Sequence, residues 1–165
     1  MRDGTGLRSP LLIRPLERPT AEAQHFIELS DRYLAGLYPA ESNHLEPLQA
    51  LMRPQALFLG AYRDQTLIGC GAVKFMSDDG TYGEIKRVFV LEPYRRQGIS
   101  RRIMQALEQQ LLERGIRLAR LETGIRQPEA LALYRALGYW LRPPFGGYRE
   151  DPLSLFMEKQ LQPLR

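Results

Sequence analysis

Cysteine, histidine and tryptophan are scarce in this 165-residue chain, which has one Cys (Cys70), two His (His25 and His44) and one Trp. A lone cysteine excludes an intrachain disulfide, so nothing in the sequence requires an oxidising compartment. One cysteine and two distant histidines argue against a zinc site, and we expect no bound metal. Because free cysteines are usually buried and Cys70 has no evident basic neighbour, we expect it in the core.

Long apolar runs are also absent. No segment approaches the roughly 18 apolar residues that a membrane span needs, and the N-terminal residues lack the apolar stretch of a signal peptide. These features predict a cytoplasmic protein with no membrane partner. Residues 1–9 are predicted to form a loose extension and residues 10–162 a single domain, because the length is close to the usual prior of about 150 residues per domain.

Neither sign of charge dominates, since 23 basic residues face 19 acidic ones. The 44% apolar and 25% charged fractions exclude a wholly disordered or collagen-like chain.

Apolar periodicity and turn residues predict the order β, α, α, β, β, β, α, β, α, β, β, which is a mixed α/β sheet with helices on both faces. The predicted strands are 11–16, 56–63, 66–75, 83–91, 118–123, 139–141 and 154–159, and the predicted helices are 21–37, 46–51, 98–114 and 128–137.

A glycine flanked by arginines marks the start of the third predicted helix. A helix N-terminus offers unpaired N–H groups and a positive dipole end, and Gly98 lets an anion approach closely. Arg95 and Arg96 add charged donors, so the segment predicts a phosphate or pyrophosphate site. Two other interpretations remain open here: a solvated basic surface, and a helix that binds DNA. The helix also carries Gln105, Glu108, Gln109 and Glu113, whereas a groove-binding helix is usually basic along more of its length.

Two motifs give the chain a family resemblance. The pattern Arg95-x-x-Gly98-x-Ser100 after a Val-x-Val strand resembles the acyl-coenzyme A loop of the GNAT acetyltransferase superfamily. Gln127-Pro-Glu-Ala130 and Leu133-Tyr-Arg-Ala-Leu-Gly-Tyr139 are similar to a second signature of that family. Ser100 stands where the family has Gly or Ala, and Gln127 where Asn is common. Further motifs, such as Tyr38-Pro-Ala-Glu-Ser and Gly83-Glu-Ile-Lys, resemble a bacterial subgroup whose acceptor is not well established.

The resemblance implies the GNAT fold, acetyl-CoA as cosubstrate and transfer of an acetyl group to an amine, without a metal. It implies that the basic excess of residues 86–135, with eleven basic and five acidic residues, serves the phosphates of coenzyme A. The residues expected to bind acetyl-CoA are Val88, Phe89, Val90, Arg95, Arg96, Gln97, Gly98, Ile99, Ser100, Arg101, Gln127 and Tyr134.

Two residues are predicted to be catalytic. An alkylamine with a pKa of about 10 must lose a proton before it attacks. Glu84 is the candidate base, because the resemblance implies that a glutamate on this strand takes the proton, usually through water. Glu122 on the neighbouring strand is the alternative base. Tyr134 is the candidate acid for the departing thiolate, because the resemblance of Leu133-Tyr-Arg-Ala-Leu-Gly-Tyr139 to the family's second signature implies a thiolate-facing position. A free phenol and a free thiol differ by only about 1.5 pKa units. A structural role for each side chain, in an ion pair or in the core, is the alternative.

The acceptor is expected to be a small-molecule amine. The resemblance implies that Tyr38, Glu41 and Ser42 line its pocket with Glu122, and that the loop carrying Phe145, Tyr148 and Arg149 covers it. Glu41 would attract an ammonium and Arg149 a carboxylate, which favours an amino-acid-like acceptor. The alternatives are acetylation of protein N-termini or lysines, a non-catalytic acyl-CoA sensor, and a nucleic-acid binder. We expect no nucleic-acid partner, and the sequence leaves a homodimer open.

Overall fold

The computed structural model describes residues 9–163, so all but the last residue of the predicted N-terminal extension lies outside the described part. The strands are β1 (Leu12–Pro15), β2 (Ala56–Arg63), β3 (Thr66–Met76), β4 (Tyr82–Val90), β5 (Leu118–Gly124), β6 (Trp140–Arg142) and β7 (Ser154–Gln160). The helices are α1 (Ala21–Ala35), α2 (Leu48–Leu51), α3 (Ile99–Glu113) and α4 (Pro128–Ala136). Short 3-10 turns occupy Ala40–Ser42 and Glu92–Tyr94. The predicted order of strands and α-helices is confirmed.

All seven strands form one mixed sheet in the order β1-β2-β3-β4-β5-β7-β6. Only β4 and β5 pair in parallel, and the other neighbours are antiparallel. The hairpin between β2 and β3 turns at Asp64 and Gln65, both of which have positive φ, as a two-residue hairpin of this kind requires. The parallel pair at the centre of the sheet is the feature that positions the site.

Helices cover both faces of the sheet. On one face α3 buries Ile103, Leu107 and Leu111 against the strands. Gly71 and Gly83 allow this close approach, since a Cβ on either would overlap Ile103 or Leu111. On the other face α1 and α2 bury Phe26, Ile27, Leu48 and Leu51. In the described part of the chain no helix is long and apolar enough to cross a membrane.

The helix ends follow from local chemistry. Thr20 caps α1, because its hydroxyl accepts a hydrogen bond from the Ala23 N–H at 3.1 Å. The second predicted helix, 46–51, is shorter than expected. It begins after Pro47, because the residue before a proline disfavours helical backbone, and this leaves residues 43–47 as an irregular segment along the site.

Cys70 is fully buried, as predicted. Its thiol donates a hydrogen bond to the Arg87 carbonyl, with a sulfur-to-oxygen distance of 3.1 Å. Burial raises the pKa of this thiol to about 12, so it stays protonated at neutral pH and lacks the thiolate character of a reactive cysteine.

Candidate active site

A gap opens between β4 and β5 halfway along their length. The two strands pair only from Gly83 to Ile85 on β4. Beyond that point β4 carries a bulge, since its register with β3 shifts by one residue and Arg87 has a φ of 59°. In the described residues the edge of β4 that faces β5 has no strand partner from Lys86 onward. Its backbone groups are therefore available to a ligand.

The gap leads into a cavity of about 120 Å³. Nine residues singled out from the sequence line it: Tyr38, Ser42, Glu84, Val88, Phe89, Glu122, Gln127, Tyr134 and Tyr148. The cavity shares residues 43–46 and Tyr148 with a wider opening of about 630 Å³ that also includes Glu41 and Arg149. The cavity and its mouth thus collect side chains predicted to serve acyl-CoA and acceptor.

Tyr134 reaches the cavity from α4. The residue is only 8% exposed, yet its hydroxyl has no hydrogen-bond partner among residues 9–163 and is not sealed from the cavity. Burial, assisted by the negative charge of Glu122, raises the pKa of Tyr134 to about 12. This hydroxyl therefore has an open hydrogen-bonding position that a ligand in the cavity could fill.

Glu84 projects from β4 and is 4% exposed. One of its carboxylate oxygens, Oε2, accepts hydrogen bonds from the Tyr148 hydroxyl at 2.5 Å and from Lys86 Nζ at 3.3 Å. Lys86 also donates to the Tyr148 hydroxyl at 2.9 Å. The three side chains therefore form a closed triangle that joins β4 to the loop before β7.

Glu122 projects from β5 into the same cavity. Its Oε1 accepts a hydrogen bond from Ser154 Oγ at 2.8 Å. Burial raises the pKa of Glu122, and the negative charge of Glu84 adds to the shift, while Ser154, His44 and Lys86 oppose it. Two carboxylates on neighbouring strands thus face one cavity with different environments.

The predicted phosphate loop lies at the start of α3. Gly98 has a φ of 76° and precedes the first helical residue, and Arg96 also has positive φ. A Cβ on Gly98 would meet nothing within 4 Å, so the space above the first helical amides is open. Left-handed backbone followed by a helix N-terminus makes a concave set of N–H groups that suits an anion.

The arginines of this loop differ in what they contact. Arg95 turns back onto the sheet, where its Nε donates to the Val90 carbonyl at 2.9 Å and its guanidinium lies 4.9 Å from the centre of the Tyr33 ring. Arg96 and Arg101 are exposed and have no hydrogen-bond partner in the described part of the chain. Arg95 thus braces the strand end, and the other two remain available to phosphates.

Gln127 is held by a residue predicted for the acceptor side. The buried Tyr38 hydroxyl donates to Gln127 Oε1 at 3.2 Å and accepts from the Arg126 N–H at 3.0 Å. Burial raises the pKa of Tyr38, so the phenol remains a donor. Tyr38 therefore connects the end of α1 to the start of α4, across the gap between β4 and β5.

The loop of residues 143–153 packs over the mouth of the site. Phe145 is buried against Tyr82 and Phe156, and Ser42 donates to Asp151 Oδ2 at 2.7 Å. Hydrogen bonds from the Leu153 N–H and Ser42 lower the pKa of Asp151. Glu41 and Arg149 are exposed at the mouth without ion-pair partners in residues 9–163.

Four residues that shape this site were not predicted from the sequence, namely His44, Glu46, Lys86 and Arg87. Arg87 donates to the Glu46 carbonyl through Nε at 3.1 Å and Nη2 at 2.6 Å, and it pairs with Asp31 on α1. The ring of His44 packs edge-on against Tyr148, with 5.0 Å between centres. Arg87 could not be selected from the sequence, because its left-handed backbone belongs to a bulge that becomes apparent only from the pairing of β3 with β4.

Comparison with known proteins agrees with this arrangement. Residues 23–139 match the model of the acetyltransferase (GNAT) family. An IAA acetyltransferase from Azospirillum brasilense is 48% identical over 146 residues, which cover 88% of this chain and 95% of that protein. A Klebsiella pneumoniae protein assigned as an acyl-CoA N-acyltransferase has a similar structure, with a TM-score of 0.75, 34% identity and coverage of 92% of this chain and 98% of that one. The PaiA N-acetyltransferase of Thermoplasma acidophilum, solved with coenzyme A, shares the fold at a TM-score of 0.68 and 21% identity, with 92% and 99% coverage.

Proposed function

The chain belongs to the acetyltransferase (GNAT) family and is an N-acetyltransferase, and from this premise we propose that it transfers the acetyl group of acetyl-CoA to the primary amine of a small molecule. The amine attacks directly, with both substrates bound together. The observation that carries this proposal is the hydroxyl of the buried residue Tyr134, which has no hydrogen-bond partner in residues 9–163 and opens onto the same cavity as Glu84.

The open helix N-terminus and the divergent strands suit acetyl-CoA. The first amides of α3 with Arg96 and Arg101 would hold the pyrophosphate, since Gly98 leaves the space above them clear. The unpaired edge at Val88–Val90 would pair with the amides of the pantetheine arm. An N–H of this edge would also stabilise negative charge on the thioester oxygen.

Tyr134 would donate a hydrogen bond to the thioester sulfur of acetyl-CoA. Its pKa of about 12 exceeds that of a free thiol by about 3.5 units, or roughly 5 kcal/mol. Full proton transfer to a free thiolate is therefore uphill. The phenol would instead donate a hydrogen bond that strengthens as charge builds on the sulfur, and would release its proton late.

Glu84 would accept the proton that the amine loses, directly or through water. Its Oε1 has no partner among residues 9–163, while Oε2 is occupied by Tyr148 and Lys86. Glu122 has a raised pKa and a second carboxylate oxygen of its own, so it remains the alternative base. The two are separable by their pH profiles.

The mouth of the site favours a small acceptor that carries a carboxylate as well as an amine. Arg149 has no anionic partner in the described part of the chain and lies on the opening that leads to Glu84. The covering loop is fastened by Phe145, by the Ser42–Asp151 hydrogen bond and by Tyr148. A covered mouth favours a small molecule over a peptide chain, which needs an open groove.

The test measures release of the coenzyme A thiol with a panel of acceptors. Each amino acid is paired with the amine that lacks its carboxylate, and peptides with free N-termini and lysines are included. We expect release only with acceptor present, and faster release with the amino acid of each pair. Preference for peptides would favour protein acetylation, and tight acetyl-CoA binding without release would favour a sensor.

A further inference from the structure

Lys86 is a mostly buried cation that lines both the cavity and its wider opening, and the proposed reaction leaves it without a role. It lies on β4 directly before the bulge at Arg87, and its side chain is only 10% exposed. Its Nζ lies 3.3 Å from Glu84 Oε2 and 3.7 Å from Glu46 Oε1, and it donates to the Tyr148 hydroxyl at 2.9 Å. Lys86 therefore connects the proposed base with the loop that covers the acceptor.

The hydrogen bonds of this triangle have one consistent direction. An ammonium has only donors, so the Tyr148 hydroxyl accepts from Lys86 and donates its own proton to Glu84 Oε2. Burial raises the pKa of Tyr148, and the charge of Glu84 adds to this shift, which keeps the phenol a donor. Both donors meet the same Glu84 oxygen, and Oε1 faces no donor in residues 9–163.

Other charged and titratable groups surround Glu84, but they are engaged elsewhere or are not cations. They are Tyr82 on the same strand, Lys74 on β3, Arg120 and Glu122 on β5, and His44 and Glu46 on the segment before α2. Arg120 pairs with Asp79 and Glu158, and Lys74 pairs with Glu46 at 2.9 Å. Within the described chain, Lys86 is thus the cation in salt-bridge contact with Glu84.

We propose that Lys86 is a positioning residue for the transfer: its ammonium holds one carboxylate oxygen of Glu84 so that the other is free for the acceptor's proton, and it holds Tyr148 over the bound acceptor. This inference rests on the proposed role of Glu84 as the base. An opposite charge at this distance stabilises a carboxylate strongly in a buried site. The same ammonium contacts both the proposed base and the loop that covers the acceptor site.

The test compares two lysines that share one partner. Lys86→Met and Lys74→Met each remove a cation from Glu46, but only the first removes a cation from Glu84 and Tyr148. The rate of transfer is measured against pH with one acceptor, whose own ionisation contributes equally to every variant. We expect Lys86→Met to move the acidic limb of the profile upward by about one pH unit and to raise the acceptor KM several-fold with the acetyl-CoA KM unchanged. Lys74→Met should leave the limb in place.

Lys86→Arg keeps the charge and should retain the wild-type limb, and Lys86→Gln is measured in the same way if the Met variant does not fold. The inference is overturned if Glu84→Gln abolishes the acidic limb but a folded, uncharged Lys86 variant leaves that limb at the wild-type pH. Equal shifts in the two lysine variants also overturn it, since they would reflect the general field of the site. If Glu84→Gln itself leaves the profile unchanged, the proposed base is wrong, and that result is distinct from a failure at Lys86.

Discussion

The phenol of Tyr38 lies directly against the backbone of Gly124, so that a Cβ at this glycine would overlap its hydroxyl. The same hydroxyl holds Gln127 and the Arg126 N–H. Gly124 is the last residue of β5, where this strand has already separated from β4. The contact therefore packs the end of α1 into the widened part of the sheet beside the cavity.

Gly124→Ala is expected to destabilise the protein by about 1–3 kcal/mol, because the phenol is buried and cannot move aside without losing its hydrogen bonds. Denaturant unfolding measures the change. Gly36→Ala is the control, since a Cβ there meets only ordinary contacts at 3.5 Å or more and the backbone is helical. If Gly124→Ala and Gly36→Ala gave the same unfolding midpoint, the overlap with Tyr38 would not contribute to the loss of stability.

Tyr134→Phe is expected to lower kcat by about 10²-fold, a typical loss for removal of a general acid. The KM for acetyl-CoA should stay within a factor of about two, since the ring remains and only the hydroxyl is lost. Steady-state kinetics with both substrates varied provides the measurement. Tyr139→Phe is a useful control: Tyr139 packs edge-on against Tyr134, but its hydroxyl is tied to Glu108 at 2.8 Å, away from the cavity. An unchanged kcat for Tyr134→Phe would remove the acid role.

Glu84→Gln is expected to remove the acidic limb of the rate profile, since the amide neither ionises nor accepts the acceptor's proton. Glu122→Gln should keep that limb. If the two variants exchange these outcomes, Glu122 is the base. The measurement is kcat against pH for wild type and both variants with a single amine.

Glu122→Gln also has a predicted effect on stability. Burial raises the pKa of Glu122, so the folded state disfavours its ionised form. Its contribution to stability is complete below the unfolded pKa of about 4.3 and is lost as the pH rises through the higher folded pKa. The amide keeps an acceptor for Ser154 and never ionises. The variant should therefore match wild type near pH 4 and melt at a higher temperature at pH 7 to 8; a gap that narrows with rising pH would contradict this.

Local chemistry was enough to predict the order of the elements and to select a candidate phosphate loop, but not the contacts between distant segments. The helix cap at Thr20 and the hairpin turn at Asp64-Gln65 depend only on neighbouring residues, so the sequence was enough to locate them. The bulge at Arg87 depends on how β3 pairs with β4, and no local pattern encodes that register.

The triangle of Glu84, Lys86 and Tyr148 illustrates what sequence reasoning missed. Glu84 and Tyr148 were each predicted to act, but in separate roles, and Lys86 was not among the predicted site residues. Sixty-two positions separate Lys86 from Tyr148, and their contact depends on the folding of the loop, which Phe145 anchors in the cluster with Tyr82 and Phe156. Tertiary packing thus brings these three residues into contact, and their spacing in the sequence does not predict that contact.

The phosphate loop offers a test that separates binding from folding. Gly98 and Gly115 flank the same helix, both have left-handed backbone with φ of 76° and 72°, and a Cβ on either would meet nothing within 4 Å. Alanine at each position should cost a similar amount of stability, about 1 kcal/mol, because an L-residue is strained in this conformation. Only Gly98→Ala should also raise the acetyl-CoA KM, since its Cβ enters the space proposed for the pyrophosphate, and the acceptor KM should not change. Equal acetyl-CoA KM values in two equally destabilised variants would show that the N-terminus of α3 does not hold the phosphates.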